Sequence, residues 1–235
     1  MRFIWSAASH QGMVRQNNED ALYPESAGES AETVTLMVAD GMGGHVAGEV
    51  ASRLAVNAAA ATDLPPADRV AAGNRAIREE VAREPSLEGM GTTMTLVTLE
   101  PEGTARFAHV GDSRAYLYRD GKLRQVTRDH TVAAEYVAQG RIAPEEAASH
   151  PQRHMLTRTL GLTRFVNVDE FELELEEGDR LLLCSDGLTE MVSDPQIAEV
   201  LEGKGVEEAA WRLIELANAA GGLDNISVIV IETLD

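Results

Sequence analysis

The sequence predicts an α+β fold in which short strands and helices share one core. Short apolar runs and period-two segments recur along the chain, which is typical of strands. Two other segments, 47–61 and 66–83, have the composition and apolar spacing of helices. The 235 residues include near-average amounts of Gly and Pro and no long linker, so we expect a single domain over 1–235.

Composition argues against several classes of protein. The formal charge of −19 disfavours a nucleic-acid or anionic-membrane surface, because both require clustered Lys and Arg. No segment approaches the roughly 18 apolar residues of a membrane span, so we expect a soluble, cytoplasmic protein. The single cysteine, Cys184, follows an apolar run, which indicates a buried thiol rather than a nucleophile.

The stretch 33–49, TVTLMVADGMGGHVAGE, is the centre of the prediction. Its apolar run 34–39 predicts a buried strand that leads into Asp40 and a glycine-rich turn, and the helix 47–61 follows. A carboxylate beside backbone without Cβ atoms suits a bound cation, although a tight turn without chemistry is the simpler alternative. A dinucleotide-binding turn is disfavoured, because Val46 replaces its third glycine and Asp40 would face a pyrophosphate.

Upstream of this stretch, a first strand is predicted at residues 3–8 and a polar loop at residues 10–20. The loop carries Arg15, followed by Glu19 and Asp20. An arginine fork suits a phosphate, because two N–H groups can engage two oxygens at once. An ordinary surface ion pair between the arginine and its neighbouring carboxylates is the alternative.

Downstream of the two helices, the apolar pattern changes to period two. It predicts strands at 93–99, 104–110, 115–119 and 122–126. Asp120-Gly121 is a hairpin signal between the last two. The segment GDSR, 111–114, interrupts the series and places Asp112 at a strand end, although Gly-Asp-Ser is also common in turns.

The segment 128–161 is polar and is predicted to lie outside the sheets. Short helices are expected at 132–139 and 144–148, and long excursions of this kind often form lids or binding surfaces. The histidines in the segment lack the spacing of metal ligands and are predicted to be polar surface: His130, His150 and His154.

The last third of the chain repeats the arrangement of a strand followed by an aspartate. Strands are predicted at 166–173, 180–184 and 226–232, with a helix at 206–220. Asp186 follows the second of these strands, and Asp224 precedes the third. Glu190 comes four residues after Asp186, which places the two on one face if a helical turn begins there.

Four aspartates therefore occur at or beside strand ends: Asp40, Asp112, Asp186 and Asp224. If the last strand runs antiparallel to those that end in aspartate, all four can gather at one edge of the sheets. An uncompensated cluster of this kind would repel itself, and divalent cations would neutralise it. An all-oxygen ligand set favours Mg²⁺ or Mn²⁺ over Zn²⁺. Two such ions can acidify a shared water for attack on phosphorus, with Arg15 as a phosphate clamp.

The chain resembles the bacterial members of the metal-dependent protein Ser/Thr phosphatases of type 2C, the PPM family. The resemblance covers nearly the whole chain, and its segments occur in the family's order: RQNNED, ADGMGGH, GTT, VGDSR, SDGLTE and GGLDNISVIV. It implies a four-layer α-β-β-α sandwich of two mostly antiparallel sheets flanked by helices. It also implies a small helical flap, at about 132–160, that influences substrate choice.

The resemblance also implies a role for each site residue. Asp40 would bridge two Mn²⁺ or Mg²⁺ ions, with the carbonyl of Gly41 completing the first site. Asp186 and Asp224 would hold the second ion, and Asp112 with Asp186 would supply a third site. Arg15 would bind the phosphate, and four residues would form the outer shell around the ions: Glu19, Asp20, Glu190 and Asn225.

The sequence departs from that of some relatives at the position of their proposed general acid. They carry a histidine directly after the Asp-Gly pair, whereas this chain has Met42. His45 lies nearby and is a candidate proton donor, with a metal-bound water as the alternative.

The implied function is hydrolysis of phosphoserine and phosphothreonine on bacterial proteins. Attack would be direct, by a metal-bridging hydroxide, and the absence of a G-x-S-x-G motif agrees with that. Expected partners are phosphoprotein substrates, including a cognate Ser/Thr kinase and its targets, and the chain is expected to be a monomer. The alternatives are a catalytically silent scaffold module and a phosphatase of the same chemistry that acts on a small phosphoester.

Overall fold

Two antiparallel sheets form the centre of the molecule. The computed structural model describes residues 1–43 and 47–235. The first sheet has the strand order β3-β1-β12-β11-β8-β9, and the second has the order β10-β7-β6-β4-β2, with a short strand β5 paired to β4. The strands are β1 Arg2–His10, β2 Asp20–Tyr23, β3 Gly28–Ser30, β4 Val34–Met42, β5 Gly91–Thr92, β6 Met94–Leu99, β7 Thr104–Val110, β8 Arg114–Arg119, β9 Lys122–Gln125, β10 Asp169–Glu174, β11 Arg180–Cys184 and β12 Ile226–Leu234.

Helices cover the outer face of each sheet. The helices are α1 Ala47–Ala60, α2 Pro66–Arg83, α3 Val132–Ala138, α4 Pro144–Ala147, α5 Asp186–Thr189, α6 Asp194–Gly203 and α7 Val206–Ala219. Helices α1 and α2 pack on the second sheet, and α6 and α7 pack on the first. The expected four-layer α-β-β-α sandwich is confirmed.

Strand periodicity explains how one sheet serves two cores. Along β12, Ile229 and Ile231 face the core between the sheets, whereas Val228 and Val230 face the core beneath α6 and α7. Every residue of 226–231 is buried, which is why apolar side chains occur on both faces of this strand. The sheets are therefore fixed on both faces, and their ends form a rigid base for side chains.

Most strands and helices predicted from the sequence are present within one or two residues of the expected bounds. Two predicted strands differ. β4 continues through Asp40 to Met42, because Gly41 and Met42 pair with β5. The strand predicted at 166–173 begins at Asp169, where pairing with β7 starts.

The segment 132–160 carries α3 and α4 and lies between β9 and β10. An isolated bridge between Thr131 and Leu156 closes its base, and a second bridge joins Thr92 to Leu160. The segment is thereby attached beside the end of β4. No helix in the described part of the chain has the length and apolar character needed to cross a membrane.

Candidate metal centre

The four aspartates singled out in the sequence line one cavity at the end of the sandwich. Asp40 comes from β4, Asp112 from the turn between β7 and β8, Asp186 from the start of α5, and Asp224 from the residues before β12. β12 runs antiparallel to β11, so its start lies beside the end of β11, as expected. The remaining lining residues are Arg15, Glu19, Gly41, Met42, Gly43, Thr93, His154 and Leu156.

Hydroxyl groups fix the backbone at Asp40 and leave its carboxylate for other contacts. The Asp40 N–H donates to Thr93 Oγ1 at 2.9 Å, and the Asp40 carbonyl accepts from Thr92 Oγ1 at 2.7 Å. Thr93 Oγ1 also lies 2.7 Å from Ser113 Oγ, which connects β4 to the turn that carries Asp112. These two threonines were missed as site residues, although both lie in the GTT segment.

Gly41 occupies a position where a side chain would not fit. A Cβ there would lie 2.2 Å from the carbonyl oxygen of Gly48 and 2.5 Å from that of Glu19. The Gly41 N–H donates to the same Glu19 carbonyl at 3.1 Å. The absence of a Cβ thus lets α1 and the loop before β2 close on the end of β4.

Asn225 attaches the Arg15 loop to the start of β12. Its side-chain Nδ2 donates to the carbonyls of Gln11 and Asn17, at 2.9 and 2.8 Å, and its Oδ1 accepts from the Glu19 N–H at 2.8 Å. Its own N–H donates to Asp224 Oδ1 at 2.8 Å. One buried amide therefore sets the positions of the loop and of the neighbouring aspartate.

Arg15 lies at the rim of the cavity. Its Nη2 is 2.6 Å from Asp224 Oδ2, and about half of its side chain is exposed. The guanidinium is thus held beside the carboxylates with donors directed to solvent, where an anion can reach them.

Burial makes the carboxylates costly to ionise. Burial raises the pKa of Asp20 to about 6 and that of Asp112 to about 7. It raises the pKa values of Asp40 and Asp186 well above the ordinary range, and repulsion from neighbouring aspartates adds to this effect. The hydrogen bonds of the cluster therefore do not offset the cost of ionising its buried carboxyl groups.

Within the described residues, two oxygens of this cluster lack partners. In the described part of the chain, Asp20 Oδ1 and Asp186 Oδ1 are buried and make no hydrogen bond, although Asp20 Oδ2 accepts from Ser185 Oγ at 2.8 Å. Buried carboxylate oxygens of this kind are normally paired or coordinated to a metal. The residues therefore fit divalent cations, and the predominance of oxygen donors fits Mg²⁺ or Mn²⁺.

A histidine that was predicted to be polar surface also reaches the cavity. His154 Nδ1 lies 2.6 Å from Glu190 Oε1, and one ligand atom each of His154, Glu190 and Asp186 lie within 4.8 Å of one another. The prediction for His154 missed this contact because the residues are far apart in sequence.

The polar-surface prediction was wrong for His130. Its ring is buried, its Nδ1 accepts from the Gly111 N–H at 3.1 Å, and its Nε2 lies 3.1 Å from Asp169 Oδ2. His130 thus joins the turn before Asp112 to the first residue of β10.

The other predicted site residues lie as follows. Glu19 lines the main cavity, Asp20 and Asn225 lie behind it, and Glu190 borders an adjoining cavity together with Asp112 and Asp186. His45, the candidate proton donor, lies outside the described residues. Cys184 is buried as predicted, and burial raises the pKa of its thiol to about 12.

Comparison with known proteins identifies a family. The family model for protein phosphatase 2C matches residues 8–212. The serine/threonine protein phosphatase PstP of Mycobacterium tuberculosis is 47% identical over 98% of this chain, and this chain spans 45% of that relative's length. The serine/threonine phosphatase stp of Listeria monocytogenes is 37% identical, over 94% of this chain and 92% of the relative.

Solved structures agree with the assignment. A crystal structure of the M. tuberculosis phosphatase PstP/Ppp matches all of this chain with a TM-score of 0.92 and 45% identity, and all of that chain is covered. The catalytic domain of PstP in complex with two manganese ions matches with a TM-score of 0.87 and 43% identity, again over the whole of both chains.

Proposed function

The chain belongs to the protein phosphatase 2C family, and on that basis we propose that it hydrolyses phosphoserine and phosphothreonine on proteins. One observation carries the proposal: four aspartates, in or beside strands of the two sheets, line one cavity with Arg15 at its rim. Among the residues that the structure describes, two of the buried carboxylates at this site retain an oxygen without a partner, which suits bound cations.

We assign the ligands as follows. Asp40 would contact two ions, the Gly41 carbonyl would complete the first site, and Asp186 and Asp224 would hold the second. Asp112 would contribute to a third site with Asp186. The structure of the PstP catalytic domain contains two manganese ions, and for this chain we propose Mn²⁺ or Mg²⁺.

When bound, the cations would polarise the phosphoryl group and lower the pKa of coordinated water. The protein's own residues would orient the substrate. Arg15 would direct two N–H donors to phosphate oxygens, and Asp224 would hold its guanidinium in place through the existing 2.6 Å contact. Glu19, Asp20, Glu190 and Asn225 would form the outer shell.

Direct attack on phosphorus, without a covalent intermediate on cysteine, fits the environment of Cys184. The thiol is fully buried, and its pKa of about 12 keeps it protonated at neutral pH. It therefore cannot serve as the nucleophile.

We further propose the organisation and partners of the enzyme. Residues 1–235 would form a single catalytic domain, with 132–160 as its flap. The substrates would be phosphoproteins, among them a cognate Ser/Thr kinase and its targets, and the domain would act as a monomer in the cytoplasm.

The test is hydrolysis of a phosphothreonine peptide in EDTA, Mg²⁺ or Mn²⁺. We expect metal-dependent turnover by the parent chain and a loss of at least about a hundredfold in Asp40→Asn and Asp224→Asn, since each removes a proposed ligand. Asp68→Asn changes an exposed aspartate of α2 and should keep parental activity. Absence of turnover with every metal, from folded protein that binds Mn²⁺, would favour the catalytically silent scaffold instead.

A further inference from the structure

A second cavity adjoins the metal centre on one side, and we call it the side groove. It has a volume of about 600 Å³ and is lined by Met42, by residues 154–159 and by residues of the 162–167 loop. Met42, His154 and Leu156 line both the side groove and the metal centre. The two cavities therefore share part of their walls, and a substrate segment whose phosphorylated side chain enters the metal centre lies within reach of the groove.

The side groove presents apolar side chains to solvent. Met155 is 53% exposed, Leu162 51% and Phe165 81%, and these are three of the nine large hydrophobic side chains exposed in the described part of the chain. Exposed apolar side chains that are scattered singly over a surface are normal, whereas a group of them marks a binding surface.

The loop that carries Phe165 is held firmly in place. Asn74 of α2 is buried, and its Nδ2 donates to the carbonyls of Thr163 and Arg164, at 3.1 and 3.3 Å. Its Oδ1 accepts from the Gly161 N–H at 2.7 Å. A loop fixed by a buried amide that still exposes an aromatic ring is preorganised for contact with a partner.

The part of the lining that carries Arg158 is also anchored. Arg158 Nη1 donates to Asp169 Oδ1 at 2.5 Å, which ties the end of the 132–160 segment to β10. Both walls of the groove are thus attached to the sheet or to α2, so binding there costs little ordering of the protein.

The charge around the groove differs from that of the molecule as a whole. None of the described residues that line it carries a carboxylate, and its ionisable side chains are His154 and Arg158. The cavity that shares Asp112 and Asp186 with the metal centre has four carboxylates in its lining: Asp112, Asp129, Asp186 and Glu190. The side groove can therefore take an apolar side chain without desolvating a carboxylate of its own lining.

We propose that the side groove binds a large apolar side chain of the substrate protein, close in sequence to the phosphorylated residue. The occupant is an extended substrate segment, and Leu162 and Phe165 form the contact that selects it. The inference rests on the proposed phosphatase function and specifies its substrate class.

The test uses phosphothreonine peptides of equal length, each with a single leucine moved stepwise along a serine background on both sides of the phosphoresidue. We expect leucine at one or two positions to raise kcat/KM by about tenfold or more, the usual effect of one apolar contact. Leu162→Ser and Phe165→Ser should abolish the gain and leave hydrolysis of p-nitrophenyl phosphate unchanged. Trp211→Ser alters a similarly exposed side chain on α7 and should retain the gain.

Binding of the same peptides as non-hydrolysable phosphonates, followed by fluorescence anisotropy, separates the two proposals. Tighter binding of the leucine peptide that disappears in Phe165→Ser supports the groove, even from a chain that hydrolyses nothing, in which case the proposed function alone is wrong. Equal binding and equal kcat/KM for all peptides, or a gain that survives both groove variants, would overturn the groove proposal. Melting curves verify that each variant is folded.

Discussion

At the scale of single residues, the site depends on one neutral amide as much as on its carboxylates. Asn225 makes hydrogen bonds with four groups. Two of these groups are backbone carbonyls of the loop that carries Arg15. Because the residue is buried, water cannot replace partners that it loses.

We predict that Asn225→Ala impairs both stability and turnover. The free energy of unfolding should fall by about 2–4 kcal/mol, since buried donors and acceptors lose their partner. The value of kcat/KM should fall about a hundredfold, because the Arg15 loop is no longer placed against Asp224. Urea denaturation and steady-state kinetics measure the two effects. Asn57→Ala, at an exposed position of α1, is the control, and parental kcat/KM in Asn225→Ala would disprove the positioning role.

The sequence allowed the aspartates to be identified but not the hydroxyl groups that support them. An aspartate after an apolar strand is visible in the local pattern, and the convergence of four follows from strand direction. The hydroxyl of Thr93 bonds to residues 53 and 20 positions away, and that of Ser185 bonds to Asp20, 165 positions away. Contacts of this kind depend on which strands become neighbours, which no local pattern specifies.

At the scale of strands and helices, the prediction succeeded where periodicity was strong. α2 and β11 have the expected bounds, whereas the three short strands β2, β3 and β5 and the helix α6 were not predicted. β2 has only four residues, and its pairing with β4 places Asp20 beside Asp40. A strand so short takes its conformation from its partner, and its own sequence does not mark it.

One buried histidine of β7 allows a prediction about pH. Burial lowers the pKa of His109 to about 4, with a further contribution from His130, and its ring contacts Thr95 Oγ1 and the Arg128 carbonyl. Between pH 4 and about 6.5 the unfolded chain therefore binds this proton and the folded chain does not. Folding stability should rise with pH across this window and be lost on acidification.

We predict that His109→Gln reduces this dependence. Acidification from pH 6.5 to 4 should lower the unfolding free energy of the parent by about 3 kcal/mol more than that of the variant. This difference is the pKa shift of His109 converted to free energy. Urea titrations at several pH values in that range measure the difference. His150→Gln, where the ring is partly exposed within 132–160, controls for the loss of one histidine. Parallel pH profiles for parent and His109→Gln would contradict the prediction.

At the scale of the whole molecule, the candidate metal centre lies where the two sheets meet. Asp40 belongs to the second sheet, Asp186 and Asp224 adjoin strands of the first, and Asp112 lies on the turn that connects them. Cations held by these residues would bridge the sheets. Without cations, the same carboxylates repel one another across the junction in a chain that already carries a net charge of −19.

This arrangement predicts that one substitution has opposite effects with and without metal. In EDTA, Asp186→Asn should stabilise the protein by about 1–3 kcal/mol, or roughly 2–10 °C in melting temperature. It removes a carboxyl group that is costly to ionise, because burial, Asp112 and Glu190 raise its pKa. In excess Mn²⁺ the order should reverse. The parent should gain about 3 kcal/mol at a metal concentration of about one hundred times the dissociation constant, and the variant should gain less because a proposed ligand is missing.

Melting curves in EDTA and across a Mn²⁺ titration measure both effects, with Asp68→Asn as the control for loss of one negative charge. If the carboxylates are held together by the protein alone, Asp186→Asn will be less stable than the parent in EDTA and will respond to Mn²⁺ as the parent does. A reversal of order would instead mean that the fold tolerates repulsion between its sheets because a cation offsets it. The energetic cost of the site would then fall on the apoprotein, and metal supply would control stability together with activity.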